Sequence, residues 1–381
     1  MEQVLVIDAI RTPLARRNGG ISGVHPAILL AGVLEELLRR TGVDGGAVQQ
    51  VITGCVSQVG EQSFNIGRTA WLTAGLPETV AASTVDAQCG SSQQAFTLAT
   101  GLIRGGLVDV VIACGVESMS RIPIGANYKK ELGLGRPIPA EYLERFGFLN
   151  QFQAAEAIAR KWGVTRDRAD AFGVLSQQRA AIAWAEGRFS EQIVPVDGEA
   201  AVVAKDEGLR ETTLEALSQL QPVVPEGIHT AGTASQISDG ASAVLIVSER
   251  WASQHGLTPK ARVVDSMLIG VDPVTMLTGP HEVTPQLLKR SGVTMDDIDV
   301  VEINEAFASI VLSWADVVDA DMSKVNPNGG AIALGHPLGA TGTVLITKAV
   351  HELERTGGRY GLVTMCCGGG LGTGTLLERA S

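Results

Sequence analysis

Aromatic residues make up only 4% of the 381 positions, so a buried core has to be built mainly from Ala, Val, Leu and Ile. No apolar run reaches the ~18 residues that a membrane span needs. The amino terminus, Met1-Glu2-Gln3-Val4-Leu5, has neither the basic-plus-apolar pattern of a signal peptide nor the Arg-rich pattern of a transit sequence. The five cysteines (55, 89, 114, 366 and 367) are odd in number and lack metal-ligand spacing. No disulfide scaffold and no metal site is expected from them, and reduced thiols in a cytoplasmic protein are the simple reading. Basic charge is short as well. Thirty Lys and Arg against 41 Asp and Glu leave a net charge of −11, which excludes a nucleic-acid surface made of clustered cations. Backbone N–H groups can still hold a small anion locally. Finally, no Gly-x-Gly-x-x-Gly follows the first predicted strand, which speaks against a nicotinamide dehydrogenase.

What the chain does have is glycine, 45 residues of it, in a sequence that is 45% hydrophobic. Tight turns and closely packed layers follow, in two or three domains. Val4–Ile10, Gln50–Val56, Thr79–Val85 and Val108–Ala113 read as strands, and Pro26–Arg40 as a helix opened by proline. A helical stripe through Ala95, Leu98, Ala99, Leu102 and Ile103 follows Cys89 and stops at Gly105-Gly106. The same plan recurs from about Ala261. Arg262–Ile269 and Asp299–Ile303 are strand-like, Val283–Lys289, Glu305–Val317 and Gly339–Glu354 helical, and Tyr360–Met365 a strand after the Gly357-Gly358 stop. Two similar α/β halves with mainly parallel sheets are therefore expected. Between them, from about Ser118 to Ile237, charges and prolines increase and two amphipathic helices (Gln153–Lys161, Arg168–Glu186) appear. This segment reads as an insertion that covers a ligand or serves only the fold.

Four residues stand where chemistry is possible. Cys89, in Asp86-Ala-Gln-Cys-Gly-Ser-Ser, lies between a strand and a helix, where helix N–H groups favour a thiolate; alone the signal is weak, since most cysteines in such folds are small buried apolar residues. His336, between two glycine-rich turns, is suited to take a proton from a thiol. Cys366 ends a buried strand and opens the run Cys366-Cys-Gly-Gly-Gly370, whose N–H groups could bind an oxyanion. Asn304, at a strand-to-helix junction, is either a helix N-cap or a fixed amide that orients a water or carbonyl.

Taken in order, Cys-Gly-Ser-x-x-Gln-Ala (89–95), Glu-Ser-Met-Ser (117–120), Asn-Glu-Ala-Phe-Ala (304–308), Gly-His-Pro-Leu-Gly-Ala-Thr-Gly (335–342) and Cys-x-Gly-Gly-Gly (366–370) resemble the signatures of the thiolase family. Ile10-Arg-Thr-Pro13, Thr230-Ala-Gly-x-Ala-Ser235 and Ser238-Asp-Gly-Ala241 also fit, so the resemblance spans essentially the whole chain. It implies a layered α/β/α/β/α fold. One half would comprise residues 1–117 with 238–258, the inserted loop domain 118–237, and the other half 259–381. It implies that Cys89 is the nucleophile that becomes acylated, His336 its base, and Cys366 the group exchanging a proton with the α-carbon of acetyl-CoA. Asn304 would hold a water that stabilises the enolate with His336, and the N–H groups of Cys89 and Gly368 would form a second oxyanion hole. Coenzyme A enters as co-substrate, with no tightly bound cofactor; Ser235 resembles the contact to its pantetheine arm and Arg210 the contact to its adenine. A homodimer or homotetramer is implied.

The sequence departs from the usual pattern at Cys114, Val116 and Cys367, and at Asn150-Gln151, near which short-chain biosynthetic members carry a His-Met pair beside the acyl pocket. That points to a degradative enzyme cleaving a longer or bulkier 3-ketoacyl-CoA, from a fatty acid or a steroid. The alternatives are a biosynthetic acetoacetyl-CoA thiolase, a ketosynthase-type condensing enzyme, which would lack the second catalytic cysteine, and a non-catalytic acyl-CoA-binding relative.

Overall fold

The computed structural model describes residues 2–129, 131, 133 and 135–380. The first half runs β1 (Val4–Arg11), β2 (Ala15–Arg16), α1 (Pro26–Thr41), β3 (Gln50–Gly54), α2 (Ile66–Thr73), β4 (Ala81–Val85), α3 (Ser91–Arg104) and β5 (Val110–Ser118). An excursion follows, with α4 (Ala140–Phe146), α5 (Gln151–Trp162), α6 (Arg166–Ala185), the short β6 (Val196–Asp197) and β7 (Val202–Val203), and α7 (Leu214–Ser218). The chain returns through β8 (Ser238–Ser248) and α8 (Glu249–His255). The second half runs β9 (Ala261–Gly270), α9 (Gly279–Ser291), β10 (Ile298–Ile303), α10 (Ala308–Val318), α11 (Ala331–Leu334), α12 (Thr341–Thr356), β11 (Tyr360–Cys367) and β12 (Leu371–Arg379).

Nine strands pair in the order β10-β11-β12-β9-β1-β8-β5-β3-β4, with β2 added against β8. The two halves meet where β1 pairs with β9, Leu5 opposite Arg262 and Val6 opposite Ala261. Parallel pairing holds at the two ends only, β4–β3–β5 and β10–β11. The strands between them are antiparallel. The physical reason is visible at β11–β12, where only Gly368–Gly370 joins the strands. So short a link can make only a hairpin, whereas a parallel pair needs a crossover.

The apolar stripe read after Cys89 forms α3, and the stripe through Ile346, Ala349, Val350 and Leu353 forms α12. These two helices pack side by side. α3 touches β3 and β5 on one side and β9 and β12 on the other. A single apolar cluster accordingly joins Phe96, Ala99 and Ile103 of α3 with Ile346 and Val350 of α12 and with strands of both halves. α1 and α2 cover the outer face of the first half, α9 and α10 that of the second, which completes an α/β/α/β/α layering. The excursion is tied down by a buried ion pair. Arg11 at the end of β1 donates Nη1 and Nη2 to Asp206 at 2.7 and 3.0 Å, and Asp206 also accepts the Leu14 N–H.

One expected helix starts late. Residues 304–307 are not helical and α10 begins at Ala308, with Phe307 at its N-cap. Glu305 is held inward instead, accepting from Ser176 Oγ (2.6 Å), Asn326 Nδ2 (2.9 Å) and the Ile332 N–H (3.1 Å). Asn304 is therefore no helix cap.

Candidate active site

β4 delivers the chain to a tight turn, Asp86–Gly90, before α3 begins. Asp86 Oδ1 accepts the Gln88 N–H at 2.7 Å, and Gln88 takes the left-handed conformation with φ of 53°. That conformation is costly for a non-glycine residue and is kept only where the surroundings enforce it. Gly90 permits the next close approach: a Cβ there would lie 2.6 Å from Cys367 Sγ. Cys89, 5% exposed, is thus held where the N–H groups of Gly368 and of its own residue face the sulfur. Burial outweighs those donors, and with Glu117 and Asp86 adding negative field the thiol is pushed up to about 11. A thiol that weakly acidic needs a base at the moment it attacks.

His336 supplies a neutral ring. It is 4% exposed, and burial lowers it to about 4. The hydrogen bonds fix its tautomer. Thr341 Oγ1 donates to the Pro337 carbonyl at 2.7 Å, so that oxygen accepts from His336 Nδ1–H at 2.6 Å. The lone pair is then on Nε2, where the Asn304 Nδ2 amide donates at 3.3 Å. Asn304 is fully buried, its N–H bonds to the Thr364 carbonyl of β11, and its Oδ1 has no partner among the described residues. An unpartnered buried amide oxygen is an acceptor reserved for a water or a substrate group.

Cys366 completes the set. It is fully buried, and its thiol is raised by burial and, next, by the nearness of Cys89. Beside it lies an apolar wall of Ala234, Met276, Leu277, Ala306 and Phe307, with Leu149 and Phe152 of the excursion packed against them. Phe152 meets Phe307 edge to face, with centroids 4.9 Å apart.

Two contacts bring the Cys89 and His336 segments together. The Thr343 N–H of α12 bonds to Ser92 Oγ of α3 at 3.0 Å. At Gly342 any Cβ would fall 2.2 Å from the Gln93 nitrogen, so only glycine lets the two helix starts touch. Glu117 ties the His336 loop to the loop after β3, accepting from the N–H groups of Val56, Ser57 and Gly339 and from Gln62 Nε2. Glu117 and Thr341 both lie inside the sequence motifs. The part of Glu117 is hidden there because its partners are remote in sequence. Thr341 instead acts on His336 and Pro337, five and four residues away, a contact that only the turn before α12 creates.

Ser235 and Arg210 are linked through the Ala231–Ser235 segment. The Ser235 N–H bonds to the Ala306 carbonyl at 3.0 Å, beside the Asn304 turn, and Ser235 is half-buried. Arg210 is exposed, and its Nη2 reaches the Ala231 carbonyl at 3.4 Å, four residues before Ser235. Among the described residues no group of three or more His, Cys, Asp or Glu side chains could hold a metal ion, and no helix is long and apolar enough to cross a membrane.

Family models for the thiolase N-terminal domain and C-terminal domain match residues 4–250 and 257–379. A steroid 3-ketoacyl-CoA thiolase of Mycobacterium tuberculosis is 48% identical over all of this chain and 95% of its own length. A beta-ketoadipyl-CoA thiolase of Acinetobacter baylyi is 42% identical, with both chains fully covered. The crystal structure of the Bacillus anthracis acetyl-CoA acetyltransferase superposes with a TM-score of 0.92 at 35% identity, covering 100% of this chain and 99% of that one. With two domain models in register and relatives similar from end to end, the chain belongs to the thiolase family of acyltransferase enzymes.

Proposed function

We propose that this thiolase cleaves 3-ketoacyl-CoA by thiolysis, giving acetyl-CoA and a shortened acyl-CoA. The observation that carries the reading is the fixed tautomer of His336, whose Nε2 lone pair faces Asn304, while a contact between the starts of α3 and α12 holds the Cys89 and His336 segments together. In the first step Cys89 loses its proton to Nε2 as the sulfur attacks the 3-keto carbon. The N–H groups of Cys89 and Gly368 hold the oxyanion of the resulting tetrahedral adduct, which becomes the carbonyl of the acyl thioester when the adduct collapses. The Cα–Cβ bond then breaks, and the electron pair goes to an acetyl-CoA enolate. His336, now carrying the proton on Nε2, and a water accepted by Asn304 Oδ1 stabilise the enolate oxygen, and Cys366 protonates the carbon. Free CoA then takes the acyl group from Cys89, a ping-pong course.

In this reading residues 118–237 are a CoA-binding loop domain, with Ser235 at the pantetheine arm and Arg210 at the adenine, whose flat ring suits a guanidinium. The halves are 1–117 with 238–258, and 259–381. The enzyme works in the cytoplasm as a homodimer or homotetramer. For the acyl group, the wall of Phe152, Phe307, Met276 and Leu277 is apolar, and Asn150 and Gln151 stand near where short-chain biosynthetic members carry a His-Met pair. A fatty or steroid-derived acyl chain suits that wall. The name of the Mycobacterium tuberculosis relative supports the same choice.

The test is CoA-dependent loss of 3-ketoacyl-CoA absorbance across short, long and bulky substrates, with Cys89→Ala as control. Turnover that vanishes in the variant supports the reading. No turnover on any substrate by the folded wild type would shift it to an acyl-CoA-binding role, and a wide preference for acetoacetyl-CoA would shift it to the biosynthetic enzyme.

A further inference from the structure

Lys348 and Glu302 form an ion pair inside the second half, Nζ to Oε2 at 2.5 Å, with side chains 1% and 0% exposed. Neither touches the cysteines or His336 in the reaction above. Lys348 Nζ donates a second bond to the Gly329 carbonyl at 2.6 Å, while Glu302 Oε1 has no partner among the described residues. A buried ion pair is a poor source of stability, because desolvation consumes most of its attraction, and the orphaned oxygen makes this one poorer. Its value therefore lies in the geometry it enforces.

That geometry concerns the active site. Glu302 is two residues before Asn304, on the same face of the extended segment that continues β10 along Thr364. Lys348 follows Thr341 by two helical turns on α12, hence on the same face of that helix. β10 thus carries one end of the ion pair and Asn304, while α12 carries the other end and the threonine that holds His336. Gly329 belongs to the turn leading through α11 to His336. Asn326 clamps that turn to β10, accepting the Ile303 N–H at 2.8 Å and donating to the Ile303 carbonyl at 2.9 Å.

We propose that Glu302 and Lys348 are positioning residues, a cross-tie between β10 and α12 that sets the 3.3 Å approach of Asn304 Nδ2 to His336 Nε2. The proposal rests on the thiolase mechanism above.

The experiment compares wild type with Glu302→Gln, Lys348→Met and the double variant Glu302→Leu/Lys348→Met. Melting temperature, kcat and KM for the best 3-ketoacyl-CoA, and the 15N resonances of the His336 ring are measured. The apolar double variant guards against misfolding, since well-packed replacements of buried ion pairs are often neutral or stabilising. Expected are lower melting temperatures in the single variants and, in a double variant that melts like wild type, kcat lower by about 10- to 100-fold with KM within about twofold and displaced His336 Nε2 resonances. Wild-type kcat and unmoved ring resonances in a natively folded double variant would overturn the proposal. A wild type without thiolysis on any substrate would fail the mechanism instead, and the ring resonances would still report whether the cross-tie acts on His336.

Discussion

Thr341 Oγ1 accepts the His336 Nδ1 proton at 2.6 Å and hands its own to the Pro337 carbonyl at 2.7 Å. The threonine sits at the first residue of α12, so the start of one helix decides which ring nitrogen is basic.

Thr341→Val keeps the shape and removes the acceptor, leaving a buried Nδ1–H unpaired. The loss is about 1–3 kcal/mol, which on kcat reads as roughly 5- to 150-fold. Thr341→Ser, which keeps the oxygen, should retain most activity. Steady-state thiolysis by the two variants checks this, and equal activity in both would mean that the tautomer is set elsewhere.

Acid should expose the buried imidazole. His336 titrates near 6.5 when unfolded and is lowered to about 4 by burial. The folded state thus resists protonation, so the contribution to stability is present above pH 6.5 and is lost as pH falls through 6.5 towards 4. The full loss is about 3 kcal/mol. Urea unfolding at pH 7.5 and pH 4.5 should show wild type losing more stability than His336→Gln over that interval. Parallel losses would contradict the shift. His281, lowered to about 4 by the same cause, is common to both proteins and cancels in the comparison.

The excursion's attachment is testable through Arg11. Its guanidinium is fully buried with Asp206 and also donates Nε to Gln192 at 2.8 Å. Arg11→Met strands a buried carboxylate and should cost about 3–5 kcal/mol, measured by denaturant unfolding. Arg11→Met/Asp206→Leu should recover part of it. A single-variant loss below about 1 kcal/mol would mean that water reaches the site.

How much of this was readable beforehand divides by range. Val4–Arg11 and the α3 stripe announce themselves by local pattern, and the cysteine, histidine and asparagine motifs carry their own spacing. The strand directions do not: an apolar run looks alike in either direction, and only the three-residue link at Gly368–Gly370 decides for β11 and β12. The late start of α10 was hidden because Glu305, an ordinary helix former, is claimed by Ser176 and Asn326, which are distant in sequence. Lys348 was equally opaque. Nothing beside it in the sequence separates a buried ion-pair lysine from one on a helix surface, and the partner that explains it lies 46 residues away.

The acyl wall offers the most direct test of substrate class. Phe152 stands on α5 of the excursion and packs edge to face on Phe307, within the cluster that contains Cys366. An acyl chain extending from Cys89 along that wall would lie against the ring, while an acetyl group would be too short to use it. Phe152→Ala should therefore lower kcat/KM for long or ring-bearing 3-ketoacyl-CoA by roughly 10- to 100-fold, an apolar contact loss of about 1–3 kcal/mol. Activity on acetoacetyl-CoA should change by less than about threefold, since no contact to it is removed. Competition between the two substrates in one assay measures the ratio directly. If both fall together, Phe152 supports the catalytic groups through Phe307 instead of contacting the acyl chain, and the case for a bulky substrate loses its structural basis.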